Sequence, residues 1–404
     1  MNKLFESQWK ATKQALCEGR DLTHNQDGSV NPNKKKVMET VLENTRREMR
    51  LMENATAGAT NAASVATLNK VILPVIRRVM PTVIANEIIG VQPMSGPVAQ
   101  IHTLRVRYAD TVPTNGSGVT AGNEALSPFD IARFYGGNEN PALPKAAATA
   151  ALEGKAGNRL SIQILKETVE AKTRKLSARW TFEAAQDAQA QQGIDIEAEI
   201  MAALAQEITA EIDQEILVSL RALPGAPTST FSQAAVTGTP TFVGDVHAAL
   251  AIMIGRQANL IASRTRRGAG NWIVVSPTAL TVLQSATASA FARTTEGTFE
   301  APTNTKFVGT LNHTIRVYVD QYASDATPVL VGYKGNEMDA PAYYCPYVPL
   351  TSSGVIVDPQ TFEPVVSFMT RYGYIELTNS ASSLGNAADY LGLVAIDTAS
   401  LTFI

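Results

Sequence analysis

The sequence predicts a mixed α+β fold, and three observations predict it. Ile196, Ile200, Leu204, Ile208, Ile212, Ile216 and Leu220 recur every four residues, the mark of one long helix. Between residues 99 and 182, two stretches of strand-like character flank an irregular span rich in Gly, Asn, Ala and Pro, which predicts a long β-hairpin with a projecting tip. From Lys306 to Tyr374 short apolar runs alternate with turns, so this region reads mainly as strands.

Size and composition narrow the classes. The 404 residues suffice for two or three domains' worth of core, and 45% hydrophobic with 18% charged residues describes an ordered globular protein with a lightly charged surface. A net charge of -3 gives no general attraction to nucleic acid, so any contact with DNA is local or incidental. Cys17 and Cys345 are the only cysteines, which excludes a disulfide framework and a cysteine-rich metal site and suits synthesis in a reducing cytosol. Lys3, Glu6 and Lys10 interrupt any signal-peptide core, and no run approaches the ~18 apolar residues of a membrane span. The expectation is a soluble protein that nothing directs out of the cell.

In chain order, residues 1–53 hold ten Lys/Arg and eight Asp/Glu and carry two helical patterns. Phe5, Trp9 and Leu16 share a face of the first; Val37, Val41, Met49 and Met52 share a face of the second. Asp27-Gly28 and Asn31-Pro32 mark the loop between them. With so little apolar surface the pair is expected to pack poorly alone. Residues 54–68, small and almost uncharged, read as a linker or extended arm. An amphipathic segment from Asn69 is broken by Pro74 and Pro81 and ends at Gly90. A strand over Ala99–Tyr108 follows, then the irregular span 110–160, then a strand in which Leu176, Ala178, Trp180 and Phe182 face one way.

The helix expected from Asp195 to Arg221 is about 40 Å long at 1.5 Å per residue. A period of four overshoots 3.6, so its apolar stripe drifts about 40° per step and must meet different elements in turn. Its polar face is acidic, with Glu207, Glu211 and Glu215 far from the favourable N-terminus and in want of basic partners or water. Pro224 and Pro227 end it. A helix from Asp245 to about Arg264, the basic turn Arg264, Arg266 and Arg267, and the buried-looking strand Trp272–Val275 follow. Ser276 and Pro277 read as N-cap and first residue of the next helix.

Catalytic chemistry has no positive sign. His24, His102, His247 and His313 show no metal-binding spacing, and neither a Gly-x-Ser-x-Gly elbow nor a phosphate loop is present. The arginines beside Gly268 and Gly270 could cradle a phosphate, but a solvated turn or a subunit contact after a helix C-terminus is the plainer reading. The acidic helix lacks the compact Asp/Asn/Gly loop of a calcium site, and Cys345, among tyrosines and prolines, reads as a packed thiol. No cofactor is expected.

Longer motifs carry a resemblance. Val331-Gly-Tyr-Lys-Gly-Asn-Glu-Met-Asp-Ala-Pro-Ala-Tyr-Tyr-Cys-Pro-Tyr347, preceded by Arg316-Val-Tyr-Val-Asp-Gln-Tyr322 and followed by Phe368-Met-Thr-Arg-Tyr-Gly373, resembles the major capsid proteins of T-even-like contractile-tailed bacteriophages. Pro74 to Pro81 through Met94, Glu170 to Thr181, Arg267 to Ile273 and Asp358 to Pro364 fit in the same order, so the resemblance runs from about residue 70 to 375. The tail after Tyr374 does not match well, and the stretch from Tyr108 to Glu170 is shorter than in T-even members.

The resemblance implies a Hong Kong 97-type shell fold with a spine helix, peripheral and axial domains, an extended loop and an N-terminal arm. On this chain it implies an assembly segment at 1–53, arm and leading helix at 54–94, and the extended loop with the start of the peripheral domain at 95–183. It further implies the peripheral domain with its spine at 184–265, a mainly axial domain at 266–350, and return strands with the tail at 351–404. The implied function is architectural and non-enzymatic: hexamers of this chain tile an icosahedral head around double-stranded DNA, in a virion assembled in the bacterial cytoplasm. A pentamer-forming vertex protein of the same family is the alternative, and a cargo compartment or an enzyme on the same fold is the third. Partners would be copies of itself, vertex, portal and scaffold proteins and decoration proteins, with no membrane. Candidate subunit-contact charges are Arg77, Arg78, Glu207, Glu211, Glu215, Arg264, Arg266 and Arg267. The family's protease cuts after glutamate in an apolar-x-Glu pattern, which makes Leu51-Met52-Glu53 the favoured site, at the edge of the linker, with Val41-Leu42-Glu43 a second fit.

Overall fold

The computed structural model describes residues 32–55, 83–112, 120–122, 125, 135, 149–154, 156–193, 195–235, 243–265, 267–286, 291–293, 306–377 and 387–401. The described helices are α1 (Pro32–Ala55), α2 (Ala85–Ile88), α3 (Phe182–Gln192), α4 (Ile196–Ala222), α5 (Val243–Thr265) and α6 (Pro277–Ser285), besides single turns. The strands are β1 (Gly90–Val91), β2 (Val98–Tyr108), β3 (Leu160–Glu170), β4 (Lys172–Arg179), β5 (Ser229–Phe231), β6 (Trp272–Val275), β7 (Phe291–Arg293), β8 (Lys306–Leu311), β9 (Ile315–Val319), β10 (Val329–Gly332), β11 (Ala342–Ser352), β12 (Ile356–Val357), β13 (Pro364–Glu376) and β14 (Leu391–Ile396). The fold is α+β.

One sheet runs β5-β14-β10-β6-β9-β8-β7. Its central strands are apolar throughout because both faces are covered. In β6, Trp272 and Val274 face the core shared with α4, while Ile273 and Val275 face α5 and α6. Leu330 of β10 and Tyr318 of β9 follow the first face; Val329, Val331, Val317 and Val319 follow the second. Leu250, Ile254, Ala258 and Ile261 of α5 cover that second face. The segment 184–265, expected as one unit, therefore serves two layers: its spine packs in one core and α5 in the other. The tail also belongs to the sheet. Its strand β14 pairs antiparallel with β10 and parallel with β5, so residues 391–396 lie next to the sheet's edge strand.

The second sheet joins β1, β11, β13 and β12, with β4 on β13. The spine α4 lies in the core that unites the two sheets. Leu204, Ile208, Ile212, Ile216 and Leu220 are buried there, with Ile196 and Ile200 half-buried. Beside them runs a second buried row, Met201, Ala205, Thr209, Asp213 and Leu217, which the apolar pattern alone did not mark because two members are polar. Asp195 caps the helix by accepting from the Glu197 N–H at 3.1 Å. At the other end Arg221 donates to the fully buried Asp320 at 3.0 Å, and Gln214 donates to its other oxygen at 2.7 Å, which ties the spine to the end of β9. Ser276 caps α6 through the Ala279 N–H, with Pro277 as its first residue.

The hairpin differs from the sequence expectation. Strand β2 pairs not with the strand near Leu176 but with β3, register for register from Val98↔Glu170 to Tyr108↔Leu160. Strand β4 pairs instead with β13, from Val365↔Arg179 to Tyr372↔Lys172. Leu176 and Ala178 gain burial against the core that way, which a free ribbon would not give them. Phe182 begins α3 rather than extending the strand, because Thr181 caps that helix by accepting from the Ala184 N–H.

Candidate assembly surfaces

The β2–β3 ribbon has only two strands, and its two faces differ. At its root, Ile101 and Val169 pack with Met94, Tyr343, Cys345 and Tyr347. At its far end Tyr108 packs on Tyr135, the rings tilted with centroids 4.6 Å apart, and Val112 and Ala125 complete a small cluster. The Tyr135 hydroxyl donates to the Arg159 carbonyl at 2.7 Å, and Arg159 pairs with Asp110 at 3.1 Å. Between root and tip, Leu160, Ile162 and Ile164 point to one face, with Ile162 69% and Ile164 65% exposed. Large apolar side chains in such a row belong in a packed surface, and here they stand in solvent.

A second apolar patch surrounds the turn after β12. Ile356, Val357 and Phe362 are exposed, Phe362 at 74% and with φ of 56°, a backbone state that a bulky residue seldom adopts. Its ring lies 5.4 Å from that of Phe182. A cleft beside it is lined by Trp180, Phe182, Val355 and Pro364, with Asp195 and Glu197 at its rim.

The expected contact charges fall into three groups. Glu211 and Glu215, expected to seek bases on another subunit, both meet Arg174 of β4 in the same chain, each at 2.6 Å. Tyr372 of β13 adds a short hydrogen bond to Glu215 and accepts from Arg174 at 2.6 Å. Burial opposes charge on Glu215, but the Tyr372 hydroxyl and the Arg174 guanidinium outweigh it and hold the carboxyl below its ordinary value. Sequence reasoning missed this because β4 was assigned to the hairpin. Arg267 likewise pairs within the chain, with Asp339 at 2.6 Å. The Tyr390 hydroxyl joins the same carboxylate at 3.0 Å. Glu207 is exposed and Arg264 is half-buried in the last turn of α5. Arg77, Arg78 and Arg266 lie outside the described residues, as do the first N-terminal helix, Cys17 and His24.

Helix α1, expected to pack poorly alone, packs into the body: Val37, Met38, Val41 and Leu42 are buried with Val83, Ile84, Ile88 and Val91. Lys34 reaches the buried Glu87 at 2.7 Å, and Asn44 donates to the carbonyls of Met94 and Tyr347 at 2.6 and 3.1 Å. The side chains of Met49, Met52 and Glu53 lie outside the described residues. The helix itself continues to Ala55, so the bond after Glu53 sits in its last turn, not in the linker. The alternative after Glu43 follows two buried residues, Val41 and Leu42.

Among the described residues, no three His, Cys, Asp or Glu side chains gather as a metal site would require. Cys345 is buried, and burial pushes its thiol up to about 12, which makes it inert at neutral pH. No helix among the described residues is long and apolar enough to cross a membrane.

Comparison with known proteins decides the family. The family described as Major capsid protein Gp23 matches residues 65–396. The chain belongs to the Gp23 family of major capsid proteins. The match reaches through β14, further than the resemblance read from the sequence. The chain is 31% identical over 425 residues to the major capsid protein of Vibrio phage KVP40, spanning 83% of this chain and 82% of that one. It is 30% identical over 404 residues to that of Enterobacteria phage T4, spanning 79% and 77%. Among solved structures, a chain from Mycobacterium phage Bobi is similar over 78% of this chain and 90% of its own, at 11% identity and a TM-score of 0.46. The capsid of Myoviridae phage XM1 is similar over 76% and 89%, at 11% and 0.42. The family assignment rests on the sequence matches. This is a head-shell protein of T4-like phages.

Proposed function

We propose that the chain builds the hexamers of the shell through a head-to-tail contact, in which the apolar row on β3 lies against a neighbouring copy. The observation that supports this reading is the exposure of Ile162 and Ile164 on a ribbon too thin to bury them itself. The patch at Ile356 and Phe362 gives a different apolar surface, and contacts between unlike patches form rings where the rotation between copies closes. In this reading the ribbon is the extended loop of a Hong Kong 97-type subunit. The seven-stranded sheet with α5 and α6 forms the axial domain, and α4 with the second sheet forms the peripheral domain. The role is non-enzymatic; vertex, portal and scaffold proteins would complete the shell assembled in the host cytoplasm. Replacing Ile162 and Ile164 with Asp tests the contact. The chain should keep its circular dichroism and thermal midpoint, since both positions are solvent-facing, yet yield no hexamers by native mass spectrometry. Hexamers at wild-type yield would refute the contact.

A further inference from the structure

The segment 83–94 forms one wall of the groove that holds α1, and residues outside α1 fix that wall at every turn. Asp213 accepts from the Ile84 N–H at 2.9 Å. Lys334 donates to the carbonyls of Asn86 and Ile89 at 3.0 and 2.5 Å, and Glu337 accepts from the Val91 N–H at 2.8 Å. Strand β1 pairs in parallel with β11, and the Gln92 and Met94 N–H groups continue along it to the carbonyls of Tyr344 and Pro346. These contacts hold the wall without any group from α1.

The polar contacts of α1 suit a removable occupant. Lys34 pairs with Glu87, but Glu87 also has Arg316 at 3.8 Å and the Tyr318 hydroxyl at 3.4 Å. Loss of Lys34 would not strand the carboxylate, which is what makes removal of one partner of a buried ion pair so costly elsewhere. Asn44, itself buried, donates to the carbonyls of Met94 and Tyr347, and the exposed Arg47 donates to that of Ser95.

We infer that this groove is a helix-binding site complete in itself, and that residues 32–55 are its detachable ligand. The four apolar side chains at positions 37, 38, 41 and 42 supply the affinity, and Lys34 sets the register by finding Glu87. The segment can then leave without dismantling the fold beneath it. That use in assembly rests on cleavage after Glu53, which intact-mass measurement of shell protein from infectious particles tests separately: a chain starting at Asn54 supports it, and one starting at Met1 rules it out.

The site itself is tested without that protease. A recognition sequence for a specific protease replaces residues 57–63 of the full-length chain, which is then cut while folded. The freed N-terminal piece should co-elute with the body on gel filtration. An excess of synthetic peptide 32–55, labelled for detection, should displace it while the body keeps its circular dichroism. The same peptide with Lys34→Glu should compete at least about tenfold less well. Separation of the piece on cutting, unfolding of the body when the piece leaves, or equal competition by the Lys34→Glu peptide would each overturn the inference.

Discussion

Asp213 is the residue where stability and pH meet. It is buried in α4; one carboxyl oxygen accepts from the Ile84 N–H, and the other has no hydrogen-bond partner among the described residues. Burial pushes its carboxyl well above the usual range, and the neighbouring charge of Asp320 adds to that push against the relief given by Ile84. The native state therefore holds a proton that the unfolded chain releases above about pH 4, and stability falls as pH rises from there through the raised native value. Asp213→Asn keeps an acceptor for Ile84 and removes the ionisation. Its thermal midpoint should exceed wild type at about pH 8, and the advantage should vanish towards pH 4; an equal midpoint at both pH values would contradict the assignment. Nothing in the sequence marks Asp213, which looks like one more acid on an acidic helix. Glu87 and Lys334 are hidden for the same reason: each is an ordinary charge until the fold encloses it.

At the scale of elements, what the sequence shows depends on how local the determinant is. The spine, Trp272–Val275 and the Ser276-Pro277 helix start are set by periodicity and by capping within a few residues, and they read directly from the chain. The partner of β2 does not, because register is decided by which surfaces are buried after collapse. The alternation of Leu160, Ile162 and Ile164 was the signal for β3, and it lies at the edge of a span whose composition suggests only loop. Close approach between strands is another non-local fact. Gly332 sits opposite Trp272, and a Cβ built there would lie 2.1 Å from the indole. Gly332→Ala should force the ring out of its place and cost about 2 kcal/mol by chemical denaturation. A change within about 0.5 kcal/mol would show that the core yields more easily than its packing implies.

For the whole molecule, the family and its architectural role were legible in long motifs, while the surfaces that perform the role were not. Glu211, Glu215 and Arg267 looked available to neighbours and are engaged within the chain. Apolar surfaces are left open among the described residues: the row at Leu160, Ile162 and Ile164, and the turn at Ile356 and Phe362. A lightly charged subunit held together by such patches should assemble with little dependence on salt, unlike one joined by ion pairs. The most direct measurement is a cryo-electron microscopy map of the assembled shell at side-chain resolution. The account predicts that Ile162 and Ile164 of each subunit are buried against a neighbouring copy, with the ribbon crossing the boundary between them. A map in which both side chains face solvent, or fold back onto their own subunit, would contradict it.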